Sequence, residues 1–208
     1  EQNKTSLYDT AVIIYTSGTT GNPKGVLLTH LNLLSDAMGI SNWFKFNKET
    51  RCLCILPLFH NNGQITTLLA PLYAGGSTVI VKGKISLYAF WDLVNKYKAT
   101  WTSVMASILS ILLSLPNERK GNSLRAILCG GQILTRSVQD QFESRFNIPI
   151  FEGYGLTETT SFSCINNYPA EKRKIGSIGK SLVTNEIAIL NENDEEVEEN
   201  TEGEICIR

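Results

Sequence analysis

The sequence predicts an α/β fold, a layered αβα sheet with alternating strands and helices, followed by a small C-terminal β region. Three observations carry this. Short apolar or β-branched runs end in glycine or proline, and a stretch with apolar residues at helical spacing follows each, which is the alternation of a parallel sheet. A hydrophobic fraction of 42% over 208 residues is enough to bury a real core. After about residue 170 the helical period vanishes, and residues 175–190 and 204–208 alternate apolar and polar side chains. The expected division is therefore residues 1–170 and residues 171–208.

Taken in order, residues 11–16 (AVIIYT) read as a strand that ends in a Gly/Thr/Ser loop. From Leu31 to about Phe46 the apolar residues have helical spacing. Residues 52–56 form a strand stopped by Pro57, and residues 63–73 a helix that Pro71 kinks or shortens. Gly75-Gly76 turns the chain into the strand 77–81 (STVIV). Ser86 is a suitable N-cap for a helix that shows Leu87, Phe90, Trp91, Val94 and Tyr97 on one face. Residues 100–105 are strand-like, and residues 108–115, apolar nearly all round, predict a short buried helix ended by Pro116. A strand at 124–129 leads into Gly130-Gly131. Val138, Phe142 and Phe146 then mark the inner face of a helix, and a strand restarts at 149–152.

Composition excludes several classes. The 19 basic and 20 acidic residues leave a net charge of −1, with no basic stripe to neutralise a nucleic-acid backbone. No apolar run reaches the roughly 18 residues of a membrane span, and the N-terminus has no signal-peptide character, so a soluble, cytoplasmic chain is expected. The five cysteines are widely spaced with no CxxC, and read as small buried hydrophobes in a reducing compartment. With only His30 and His60 available, a zinc site is not expected. Residues 192–204 hold eight acidic side chains and predict a solvated hairpin connection.

The strongest chemical signal is Tyr15-Thr16-Ser17-Gly18-Thr19-Thr20-Gly21-Asn22-Pro23-Lys24-Gly25. It follows a strand and precedes a helix, a setting in which backbone N–H groups converge on an anion. Gly18, Gly21 and Gly25 allow close approach, while Thr16, Ser17, Thr19 and Thr20 add hydroxyl donors and Lys24 a positive charge. The Walker A pattern GxxxxGK[ST] is absent, so a phosphate loop of another kind is expected. A second run, Gly153-Tyr154-Gly155-Leu156-Thr157-Glu158-Thr159, could by itself be no more than a glycine turn after a strand.

Together the two runs resemble the signature motifs of the adenylate-forming superfamily, which includes acyl- and aryl-CoA synthetases, peptide-synthetase adenylation domains and luciferases. The resemblance extends from Ala11 to Arg208, through Gly130-Gly131-Gln132, Gly176-Ser177-Ile178-Gly179-Lys180 and Gly203-Glu204-Ile205. It implies that residues 16–24 hold the β- and γ-phosphates of ATP, with Lys24 in a catalytic role. It implies that Tyr154 stacks on adenine beside Gly155, that Thr157 contacts the α-phosphate and that Glu158 holds Mg²⁺. Gly130, Gly131 and Gln132 would wrap the adenine, with Gly131 also bordering the acyl pocket.

Leu56-Pro57-Leu58-Phe59-His60 resembles the run of acyl- and aryl-CoA synthetases whose histidine, here His60, lines the carboxylate pocket. Peptide-synthetase adenylation domains usually carry an aspartate in that region, and no Asp occurs between Arg51 and Trp91. Residues 88–100 also resemble the carnitine and crotonobetaine CoA ligases. One departure is Ser103-Val104-Met105-Ala106-Ser107, where the family often has Val-Pro, which reshapes one wall of the acyl pocket. The implied reaction is activation of a small carboxylic acid by ATP to an acyl adenylate, followed by thioester formation with coenzyme A. The resemblance also implies that a ribose-binding aspartate, a lysine-bearing C-terminal domain and an earlier segment lie outside these residues. The chain would then be an incomplete, inactive fragment. A peptide-synthetase adenylation domain and a non-catalytic nucleotide-binding remnant remain the alternatives.

Overall fold

The computed structural model describes residues 4–17, 22–83, 87–116 and 123–208. Strands β1 (Thr10–Thr16) and β2 (Lys24–Thr29) form an antiparallel hairpin, and α1 (His30–Trp43) follows directly. The run 15–25 therefore connects two strands, where the sequence suggested a strand-to-helix turn. The reason is residues 26–28: Leu28 is buried and Leu27 exposed, a period of two that suits a strand covered on one side by α1. The helix is started instead by Thr29, whose hydroxyl accepts the Asn32 N–H at 3.2 Å. The Asn32 Oδ1 accepts the Thr29 N–H at 2.9 Å in return, completing a capping box.

The main sheet begins with β3 (Arg51–Cys54), β4 (Ser77–Ile80), β5 (Trp101–Val104), β6 (Ala126–Cys129) and β7 (Ile150–Tyr154). It is completed by β8 (Cys164–Ile165) and β9 (Lys180–Ser181), in the order β4-β3-β5-β6-β7-β8-β9. The first five strands are parallel and the last two antiparallel. The sheet thus continues past residue 170. The antiparallel pair β10 (Ile187–Leu190) and β11 (Glu204–Ile207) stands outside it, joined by the exposed acidic connection that the sequence anticipates.

Between β3 and β4 the chain forms a π-helix (Asn62–Leu69) and then α2 (Ala70–Tyr73). The break precedes Pro71: the Ala70 N–H donates five residues back, to the Ile65 carbonyl. Pro71 sits in the first turn of α2, directly after the π-helix. The remaining connections are α3 (Phe90–Tyr97), α4 (Ala106–Ser114) and α5 (Arg136–Phe146). Ser86 lies outside the described residues. Helix α4 is one-sided rather than buried all round: Ala106, Leu109 and Leu112 face inward while Ile111 is exposed.

Adjacent strand residues point to opposite faces, and each face has its own core. On one side Leu53, Val104, Ile127 and Ile150 meet Phe90, Trp91, Leu109, Phe142 and Phe146 from α3, α4 and α5. On the other, Cys52, Trp101, Leu128 and Phe151 meet Ala37 and Ile40 of α1, Phe44 at its C-cap and Ile65 of the π-helix. This three-layer αβα arrangement is the one the sequence predicts.

A charged lock ties α5 to the segment that follows β8. Arg173 pairs with both Glu143 carboxylate oxygens, reaches the Ile150 carbonyl and lies over the Phe151 ring. Burial pushes the Glu143 carboxyl up, but hydrogen bonds from Arg173, the Ile150 N–H and Gln139, with the Arg173 charge, hold it below its ordinary range. Glu143 therefore contributes stability that is present above the unfolded carboxyl pKa and lost as the native carboxylate is protonated in acid. Arg173→Met should lower the unfolding free energy by about 2–4 kcal/mol near neutral pH, less than for a wholly buried pair, with the gap closing in acid. Equilibrium urea unfolding at both pH values checks the size and the sign.

Candidate active site

Strand order reverses at β3: the chain steps outward to β4, then returns to β5 on the other side of β3. In open parallel sheets a crevice forms at such a reversal, beyond the carboxyl ends of the strands. A cavity of about 260 Å³ lies there. Leu56, Pro57, His60, Asn61 and Asn62 enter it after β3, Met105 after β5, Gly130 and Gly131 after β6, and Gly155, Leu156 and Thr157 after β7. Ser161 and Phe162 complete the lining.

The residues after β3 are presented by a tight turn. The His60 N–H donates to the Pro57 carbonyl at 3.1 Å, and the exposed His60 ring lies 4.6 Å from the Phe59 ring. Asn61 is buried, and its Nδ2 donates to the Thr157 carbonyl at 3.3 Å. A carbonyl only accepts, so this bond fixes which way the amide faces.

The loop after β7 is held just as closely. Any side chain at Gly155 would overlap the Ser161 carbonyl, and one at Gly130 or Gly153 would overlap the Phe162 ring. The Ser161 hydroxyl is 3.2 Å from that of Thr66. Thr159 Oγ1 accepts the Leu156 N–H at 3.0 Å and the Ser163 hydroxyl at 2.8 Å. Thr160 has φ 77° and ψ −63°, and the Ser161 N–H donates to the Thr159 carbonyl at 3.1 Å. This is a γ-turn of the rare, strained hand, directly after Glu158.

Glu158 is exposed and faces a second cavity of about 280 Å³, which it shares with Asn32, Ser35 and Asp36 of α1, Thr159, Thr160 and Arg208. Asp36 is 4% exposed, and neither carboxyl oxygen has a hydrogen-bond partner. Burial pushes its carboxyl well up, while the Phe162 N–H, outside hydrogen-bond geometry, pulls weakly the other way. Among the described residues no three His, Cys, Asp or Glu gather to hold a metal ion. Magnesium fits Glu158 by donor chemistry all the same, since it commonly takes one or two carboxylates and completes its shell with water and substrate phosphates.

Of the residues the sequence singles out, His60, Gly130, Gly131, Gly155 and Thr157 share the first cavity. Tyr154 ends β7 and is partly buried. Thr16 pairs with Lys24 at the turn end of the hairpin, beside exposed Ser17, and β2 touches the turn Thr157–Thr159. Gly18, Thr19, Thr20 and Gly21 lie outside the described residues. The Gln132 side chain bonds the Ser107 N–H. Asn61, Phe162 and Asp36 are additions that sequence reasoning missed. Only Asn61 had a signal, its place beside His60. Burial pushes the Cys52, Cys54, Cys129 and Cys164 thiols up, Cys129 to about 12, which leaves them inert.

The profile of the AMP-binding enzyme family matches residues 1–208. The chain belongs to that family. It is 39% identical over 206 residues to an oxalate–CoA ligase of Arabidopsis thaliana, covering 96% of the chain and 40% of that protein. It is 34% identical over 206 residues to a crotonobetaine/carnitine–CoA ligase of Proteus mirabilis, covering 98% and 39%. The solved o-succinylbenzoate coenzyme A synthetase of Bacillus subtilis, in complex with ATP and magnesium ion, superposes with a TM-score of 0.86 at 30% identity. That match covers 98% of this chain and 42% of the other. The chain thus spans about 40% of the length of these relatives.

Asp36 gives the chain a pH signature. With a raised native pKa the folded state keeps a proton that the unfolded state loses, so stability falls as pH rises from the unfolded carboxyl pKa towards the native one. Asp36→Asn should therefore raise the melting temperature near pH 7 by about 2–4 °C for each kcal/mol relieved in a chain of this size. The gain should vanish near pH 3, below the ordinary Asp pKa of about 3.9. Thermal unfolding of both proteins at the two pH values checks this.

Proposed function

We propose that residues 1–208 form the nucleotide- and acyl-binding part of an AMP-forming acid–thiol ligase that joins a small carboxylic acid to coenzyme A. Residues 1–170 carry the sites, and beyond β9, the last strand of the main sheet, the pair β10–β11 begins a β subdomain. One observation supports the reading most: the histidine turn after β3 and the second glycine motif after β7 border a single cavity at the strand-order reversal. The CoA-ligase names of the relatives agree with it. The five cysteines, all free, suit a reducing compartment such as the cytoplasm.

The reaction has two halves. A carboxylate oxygen attacks the α-phosphorus of ATP, the bond to pyrophosphate breaks, and an acyl adenylate forms. The sulfur of coenzyme A then attacks the acyl carbon and AMP leaves with the bonding pair. The protein's share of the first half is placement and charge stabilisation. Lys24, Thr16 and Ser17, with Gly18, Thr19, Thr20 and Gly21, hold the β- and γ-phosphates. Thr157 meets the α-phosphate, and Tyr154 and Gly155 lie against the adenine with Gly130, Gly131 and Gln132. His60 and Gly131 border the acid. Glu158 holds Mg²⁺, which supplies positive charge to the phosphates when bound.

Two predictions follow for the full-length enzyme. Glu158→Gln keeps the size but removes the charge from the metal ligand, and should lower kcat by about 10²–10³, the scale of one lost electrostatic stabiliser. A steady-state rate at saturating ATP and Mg²⁺ checks this, and an unchanged rate would remove Glu158 from the metal shell. Lys24→Ala should weaken pyrophosphate exchange by a common factor for all acids, because all share the same ATP. His60→Ala reshapes a pocket wall and should shift the kcat/KM ratio between two acids by about tenfold or more. If both variants scaled all acids alike, His60 would not border the acid.

A further inference from the structure

Helix α4 begins without a cap of its own. Its N-cap residue is Met105, whose side chain has no oxygen to offer the free N–H groups of the first turn. The acceptor comes from another loop: Gln132 Oε1 accepts the Ser107 N–H at 3.1 Å, across 25 residues of sequence. A backbone link runs parallel to it, the Gly130 N–H donating to the Val104 carbonyl at 3.2 Å. The loop 130–132 is thus tied twice to residues 104–107.

Met105 is also the residue that brings β5 into the first cavity, beside Gly130 and Gly131. A serine or aspartate at 105 would cap α4 locally but would put a polar group in the cavity wall. A methionine keeps the wall apolar, yet its three rotatable bonds define a surface only when its backbone is fixed. A cap supplied from the neighbouring loop meets both needs. Gln132 is exposed, so without the Ser107 bond its side chain would be free to sample other rotamers.

We propose that Gln132 is a positioning residue for acid selection: by capping α4 from the loop after β6 it sets where Met105 stands in the cavity wall. This rests on the reading above that the cavity receives the acid. It gives the Gln132 side chain a task directed at the acid wall, through Ser107 and Met105, while the backbone of the same loop remains available to the nucleotide.

The test uses the full-length enzyme as wild type, Gln132→Ala and Gln132→Glu. Pyrophosphate exchange is measured with acetate, oxalate, malonate, hexanoate and benzoate, and amide hydrogen exchange is followed in the first turn of α4. Loss of a cap should speed exchange in that turn by about three- to tenfold in Gln132→Ala. It should also shift the kcat/KM ratio of the two best acids by about threefold or more. Gln132→Glu should restore both, since a carboxylate still accepts the Ser107 N–H and suits the positive end of a helix. Unaltered exchange in α4, or one common factor for all acids with a raised KM for ATP, would overturn the proposal; the latter would make the Gln132 side chain, and not only its backbone, a nucleotide contact. An active wild type with an unmoved acid ratio removes only the role of Gln132. A wild type inactive with every acid removes the ligase reading, and the positioning role with it.

Discussion

The seating of one aromatic ring governs the shape of this site. Phe162 is buried against Gly130 and Gly153, where a single methyl group on either glycine would overlap it. Those glycines mark the carboxyl end of β6 and the interior of β7, so the ring clamps the loop after β7 onto the ends of the parallel strands. The floor of the first cavity follows from that contact. Replacing Phe162 with a smaller residue would open a void, and enlarging either glycine would force the loop away.

What the clamp brings down, hydrogen bonds then hold in place. The γ-turn at Thr160 is an unfavourable backbone state, costing on the order of 1–3 kcal/mol. Its offset is local and visible: the Thr159 hydroxyl takes two donors, the Thr157 carbonyl receives Asn61, and Ser161 meets Thr66. Each such bond contributes about 1 kcal/mol net, so together they are of the size needed. Two of them come from the π-helix and the turn before it. The wide turns of that helix place Thr66, and the short turn before it Asn61, against a loop nearly a hundred residues later.

The pattern of bonds explains which parts were legible in the sequence. The strands of the main sheet were, because buried parallel strands write themselves as short apolar runs closed by Pro57 or Gly130. The run containing His60 and the run 153–159 were likewise visible, since each is contiguous. Features made by distant partners were not. Asn61 reaches Thr157 across 96 residues, and Gln132 reaches Ser107 across 25, with nothing local to announce either. Asp36 looked like any polar residue on a helix, because its burial depends on the loop after β7 folding over it. The second strand of the hairpin is not legible, because residues 25–29 are too short and too apolar to separate strand from helix by period alone.

The division of the core into two faces has an optical consequence. Trp91 belongs to the layer of α3, α4 and α5, packed on Phe90 and Phe146, whereas Trp101 belongs to the layer of α1, packed on Phe44 and Phe46. Trp43, the third, donates its indole N–H to the Asn166 carbonyl at 2.9 Å, at the rim where α1 meets the segment after β8. One face of the sheet therefore carries one indole, Trp91, and the other face two, Trp101 within its core and Trp43 at its rim. Emission from the three indoles, isolated one at a time by phenylalanine replacement of the other two, would distinguish loosening of one layer from cooperative loss of both.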